Sequence, residues 1–115
     1  MTLNKTILRV FEVRAKPGHT QTLKQKLSDT SIAVVRGEPG NGGYLFGECL
    51  SATGRDLVFI SLWQDLAAVK ARFGEQWEES FLPPGYEDSI EQCSVRHFEV
   101  EGEVLDSLRS PESSA

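Results

Sequence analysis

The chain has 115 residues, 39% of them hydrophobic, and a formal net charge of −5. That length supports one domain around one core, and the acidic balance, without any dense run of Lys and Arg, excludes a phosphate-backbone binder and disfavours an anionic membrane surface. No apolar run approaches the roughly 20 residues of a membrane span, and Met1-Thr2-Leu3-Asn4-Lys5 leads into no apolar leader core, so a cytoplasmic protein is expected.

A first strand is predicted over Ile7–Ala15. Ile7, Phe11, Val13 and Ala15 share one face with Arg9, and Leu8 and Val10 lie on the other. Apolar residues on both faces point to a strand inside a sheet that is covered on both sides. Lys16-Pro17-Gly18-His19-Thr20 breaks it, and Thr20 or a near neighbour is placed to cap a helix. Leu23, Leu27, Thr30, Ser31 and Val34 then recur at helical spacing until Gly37 and Pro39.

Gly40-Asn41-Gly42-Gly43 reads as a loop and Tyr44–Ser51 as a second strand. Tyr44, Phe46, Glu48 and Leu50 fall on one face, with Leu45, Gly47 and Cys49 on the other. The short turn Ala52–Asp56 implies an antiparallel hairpin to a third strand, Leu57–Trp63. Near-continuous apolar character puts that strand at or near the centre of the sheet.

Asp65 is suited to cap a second helix. Leu66, Val69, Phe73, Trp77 and Phe81 form its apolar stripe, with Gly74 as an interior break that implies local strain or a close backbone approach. Leu82-Pro83-Pro84-Gly85-Tyr86-Glu87-Asp88 is a stiff loop, and a fourth strand is predicted over Ile90–Val100. Ile90, Phe98 and Val100 are assigned to one face, and Cys93, Val95 and His97 to the other. Cys49 and Cys93 read as two buried, reduced thiols. Residues 1–103 are expected to form the domain, with 104–115 a disordered acidic tail.

The order β-α-β-β-α-β gives an α+β fold of the ferredoxin-like, split-βαβ type: a four-stranded antiparallel sheet with two helices on one face. Leu8, Val10, Leu45, Val58, Ile60, Leu62 and Val95 would then be too many apolar side chains to leave in water. A second copy related by a two-fold axis is the most economical cover, so a homodimer is expected.

The stretch Val58-Phe-Ile-Ser-Leu-Trp-Gln-Asp-Leu-Ala-Ala-Val-Lys-Ala-Arg-Phe73 and the opening Phe11-Glu-Val-Arg-Ala-Lys-Pro-Gly18 resemble the antibiotic biosynthesis monooxygenase (ABM) domain of the dimeric α+β barrel superfamily. The resemblance covers about residues 7–100. It implies a cofactor-independent oxygenase with a pocket between sheet and helices, bordered by Trp63. The heme-degrading branch of that family uses an Asn on the first strand and a Trp and a His on and after the second helix. Phe11, Arg72 and Leu82 stand at those places here, and Gly74 and Trp77 do not restore the pattern, so heme is not expected. Many relatives that oxidise quinols or anthrones carry a His on that helix, where Arg72 stands.

Several residues suggest chemistry, each with a plainer alternative. His97 is the candidate general base, since an imidazole titrates in the right range for removing a phenolic proton; otherwise it is a wall or interface residue. Trp63 is a candidate stacking surface, or a core residue anchoring the helix start. Arg9 and Glu48 are charges on apolar strand faces that would need each other or a ligand if buried, and could polarise a carbonyl; otherwise they pair at the rim. Tyr44, Trp77, Phe81 and Tyr86 could line the pocket mouth, with Pro83-Pro84-Gly85 as a lid, or could simply pack. His19 reads as a solvated turn residue. Two lone histidines at no ligand spacing make no metal site, and the glycine loop lacks the context of a phosphate cradle. The functional expectation is a cofactor-independent monooxygenase acting on a small aromatic of quinol or phenol type. The alternative is a non-enzymatic dimeric module that binds a small hydrophobic molecule.

Overall fold

The computed structural model describes residues 2–51, 54–80, 85–105 and 107. Six main elements follow in the expected order: β1 (Thr2–Ala15), α1 (Thr20–Val35), β2 (Asn41–Glu48), β3 (Asp56–Trp63), α2 (Leu66–Phe73) and β4 (Ile90–Glu103), with a short 3-10 turn at Gly74–Gln76. The strands form one antiparallel sheet in the order β2-β3-β1-β4. β1 and β3, the two most apolar strands, take its centre.

The period-2 alternation of β1 and β3 decides which face is inside. Ile7, Phe11, Val13, Ala15, Leu57, Phe59 and Trp63 are buried, and they pack against Leu23, Leu27 and Val35 of α1 and Val69 of α2. Both helices therefore lie on one face of the sheet, held by apolar burial. Leu8, Val10, Val58, Ile60 and Leu62 point the other way and are half-buried at most. Among the described residues no helix lies on that outer face.

Several local expectations are corrected. β1 begins at Thr2 and β2 at Asn41, so most of the glycine loop is strand, with a register shift between Asn41 and Gly43; β2 ends at Glu48. That leaves Cys49 exposed and Cys93 half-buried, both as free thiols. Thr20 is the first residue of α1 and not its cap; His19 occupies the cap position without a side-chain hydrogen bond. Gly74 does not strain a helix interior: at φ 74 it ends α2, in open space. The Asp65 expectation holds, because its carboxylate accepts from the Ala68 N–H at 2.9 Å.

β4 carries a register shift where Arg14 pairs with Gln92 but Ala15 pairs with Ile90. The shift brings Ile90 onto the inner face beside Cys93 and Val95, all packed on the core. Val95 therefore leaves the outer face, and Phe98, opposite Leu8 and 43% exposed, takes its place there. The expectations for Phe81, Leu82, Pro83 and Pro84, and for most of the tail, fall on residues outside those described. Among the described residues no helix is long and apolar enough to cross a membrane.

The link from α1 to β2 passes close under α2. Gly40 has φ +82, and a Cβ there would stand 2.6 Å from the Ala68 Cβ. Gly18 has the same φ, but a Cβ there would meet open space. Gly18→Ala is expected to cost about 1–2 kcal/mol, the penalty of a left-handed L-residue. Gly40→Ala is expected to cost clearly more, because the same penalty is joined by a clash. Urea unfolding of both variants measures the difference; equal losses would show that α2 yields freely at this contact.

Candidate functional site

The register of the four strands aligns one row of inner-face residues across the sheet. Tyr44 on β2 pairs with Ser61 on β3, Ser61 with Arg9 on β1, and Arg9 with His97 on β4. One step along, Phe46, Phe59, Phe11 and Val95 form an apolar row. A polar row and an aromatic row thus lie side by side under the helices.

Arg9 is only 4% exposed although it carries a charge. Its guanidinium is held by backbone carbonyls: Nη1 donates to Trp77 O at 2.6 Å and Nη2 to Glu79 O at 3.2 Å. The guanidinium carbon lies 3.7 Å from the Phe73 ring centre, a cation–π contact. Among the described residues no carboxylate forms an ion pair with it. Burial first, and then the like charge of Arg72, push its pKa down to about 10. It remains a cation at neutral pH.

His97 lies 3.0 Å from Arg9 through Nε2. A guanidinium only donates, so Nε2 must accept and the ring proton sits on Nδ1. Burial and the neighbouring Arg9 charge hold the imidazole below its ordinary range, in the neutral form. Its ring meets Trp77 edge-on at 4.9 Å. The lone pair assigned to proton abstraction therefore faces Arg9, and His97 is not part of the inner cavity wall.

That cavity lies between α1 and the sheet. Arg9, Phe11, Phe59 and Ser61 form its floor. Leu27, Thr30, Ser31, Val34 and Val35 of α1 form its roof, and Phe73 and Tyr86 close the sides. Its volume is about 40 Å³. A water needs roughly 10–15 Å³ on this measure, while sites for drug-sized ligands run to roughly 300–1,000 Å³. As it stands the cavity holds a few waters or a diatomic gas, and a ring enters only if α1 or the Tyr86 side yields.

The other candidates are dispersed. Trp63 is fully buried, gives its indole N–H to Ser61 Oγ at 2.8 Å, and meets Phe73 edge-on at 5.7 Å. It is a core residue behind the cavity, not part of its lining. Tyr86 is buried and does line the cavity. Its phenol donates to Lys26 O at 2.8 Å and accepts from the Thr30 hydroxyl, which ties it to α1. Tyr44 lies outside the lining: its ring stacks on Phe59 at 5.9 Å and its hydroxyl accepts from Arg36 at 2.9 Å. Arg72 links the helices, donating to Val34 O at 3.0 Å and lying 3.4 Å from Glu38. Trp77 contributes its carbonyl to Arg9. Glu48 does not pair with Arg9; it sits at the far end of β2, 3.0 Å from Lys24. His19 is half-buried, 3.2 Å from Ser89 Oγ, and not simply solvated. Among the described residues no cluster of His, Cys, Asp and Glu could hold a metal ion.

Ser61 was missed by sequence reasoning. It is the one polar residue within Leu57–Trp63, and a serine inside such a run was the available signal.

The depressed His97 pKa has a defined consequence. Unfolded, His97 takes a proton near pH 6.5; folded, it resists until lower pH. The unfolded chain binds more protons in that window, so stability falls as pH drops below about 6.5. His97→Gln keeps an acceptor for Arg9 and does not titrate. Chemical denaturation between about pH 7.5 and 5 should show a smaller loss for His97→Gln than for wild type; parallel curves would place His97 in a solvent-like environment.

The model of one protein family, described as antibiotic biosynthesis monooxygenase, matches residues 6–79. No curated protein matches the sequence. Among solved structures, a protein of Shewanella oneidensis is 19% identical with a TM-score of 0.69, over 88% of this chain and 96% of its own. One of Pseudomonas aeruginosa is 19% identical with a TM-score of 0.67, over 85% and 96%. A mutant of SnoaB, a cofactor-independent oxygenase from Streptomyces nogalater, is 13% identical with a TM-score of 0.63, over 89% and 98%. At these identities the likeness is one of fold.

Proposed function

This chain belongs to the antibiotic biosynthesis monooxygenase family, and from that premise we propose that it oxygenates a small aromatic of quinol or phenol type without a cofactor. The observation that carries the reading is the cavity between helices and sheet, walled by Phe11, Phe59 and Phe73 and containing one fixed cation. An electron-rich ring needs apolar aromatic walls, and its reaction with oxygen needs water kept away. Loss of a proton from a ring hydroxyl makes the substrate an anion. That anion passes one electron to dioxygen, and the radical pair closes to a peroxide at a ring carbon. Loss of water then leaves the oxidised ring, so one quinol and one dioxygen give one hydroxyquinone and one water. The substrate supplies all the electrons.

A second reading, a binding module without turnover, is favoured by one feature. His97 Nε2 is already engaged by Arg9, so the wall holds no evident base. Oxygen uptake separates the two. The oxygenase reading expects consumption of oxygen with hydroquinones and one labelled oxygen atom per product from isotopic dioxygen. It also expects that Ser31→Phe, which fills the roof of the cavity, lowers kcat/KM by at least about tenfold. Saturable binding with no oxygen uptake would leave the module.

We also infer that a second copy covers the outer face of the sheet, where Leu8, Val10, Ile60 and Leu62 stand beside the exposed Leu45 and Phe98. Light scattering should give twice the chain mass for wild type and the single mass for Ile60→Glu. A monomeric wild type would remove the dimer.

A further inference from the structure

Arg9 is what the aromatic reading alone leaves unexplained. Cation–π attraction to a ring is modest, and burying a cation without a counter-charge is costly. Its partners Trp77 O and Glu79 O satisfy hydrogen bonds but bring no net negative charge. Arg72, whose guanidinium carbon lies 5.3 Å from the same Phe73 ring, adds charge of the same sign. Ser61, next to Arg9 in the row, accepts from the Trp63 indole, which leaves its hydroxyl able to donate. The floor of the cavity is thus a cation beside a hydroxyl donor, surrounded by Phe11, Phe59 and Phe73.

We propose, resting on the aromatic reading above, that the ligand of this cavity presents an anionic oxygen to Arg9 and Ser61: a carboxylate or an ionised phenol on a single aromatic ring. Nη1 is committed to Trp77 O and His97 and one Nη2 proton to Glu79 O, so Nε–H and the second Nη2–H are the donors left for an anion, and a low-dielectric wall strengthens the pairing. Even one ring needs α1 or the Tyr86 side to yield in a cavity of about 40 Å³, and a fused system would need a larger displacement, which is the ground for the single-ring limit. Arg9 is then the residue that selects the acidic members of the substrate class.

Calorimetric titration of the full chain with 2,5-dihydroxybenzoate, its neutral amide and hydroquinone tests this, with oxygen uptake recorded for each. The acid is expected to bind at least about tenfold more tightly than the amide, and folded Arg9→Met is expected to lose that preference. Should Arg9→Met fail to fold, the wild-type ratio of acid to amide decides alone. 4-Nitrophenol titrated below and above its own ionisation separates the two sources. Preference for its ionised form supports the phenolate; preference for the benzoate alone supports the carboxylate. Equal affinity of acid, amide and hydroquinone, with oxygen consumed, overturns the anionic ligand and leaves the oxygenase. Acid preference without oxygen uptake keeps the anionic ligand and overturns the oxygenase. Acid preference surviving in folded Arg9→Met, or no binding of any of the three, overturns the proposal, and an anthraquinone carboxylate binding as tightly as the benzoate overturns the single-ring limit.

Discussion

One buried cation organises this molecule. Arg9 lies on a central strand, facing the core and almost out of reach of bulk water. A guanidinium in that position must find acceptors, and it finds them in the backbone beyond α2, at Trp77 and Glu79. The same contact ties the segment after Gly74 to the sheet and brings Trp77 onto His97. The α2 end, the β4 histidine and the cavity floor therefore share a single anchor. Removing it would take this donor from the Trp77 and Glu79 carbonyls and leave a void.

Around that anchor the sheet divides its labour by rows. Strand pairing carries each inner-face position straight across the sheet, so a polar residue on one strand meets those at the same level on its neighbours. The level of Arg9 holds Tyr44, Ser61 and His97; the next level holds Phe46, Phe59, Phe11 and Val95. A charge at the edge of an aromatic patch is an arrangement that positions a flat, polar-ended molecule. It arises here from register alone, without a loop or an inserted element.

The family match and the fold agree, yet the chemistry is not transferred with them, because one scaffold hosts many functions. His97 illustrates the point. A histidine on an inner strand suggests a base, but a guanidinium 3.0 Å from Nε2 takes the lone pair that a base would use. Trp63 is similar: at the end of an apolar strand it suggests a stacking surface, and its indole is instead buried against Ser61 and Phe73.

The sequence by itself determined the order of elements, the central place of β1 and β3, the inward face of each, and the Asp65 cap. These rest on local causes: side-chain alternation with period 2, turn residues, and short capping contacts between neighbours in the chain. It also singled out Arg9 as a charge that would need a partner. Tertiary structure decided what that partner is, because Trp77, Glu79 and His97 lie 68 or more residues away and meet Arg9 only through packing and register. It likewise decided the face of Ile90 and Val95, since a shift of one residue in β4 moves side chains across the sheet, and it ended α2 at Gly74 through a positive φ. Local pattern fixes which way a side chain points; only the assembled sheet fixes what it points at.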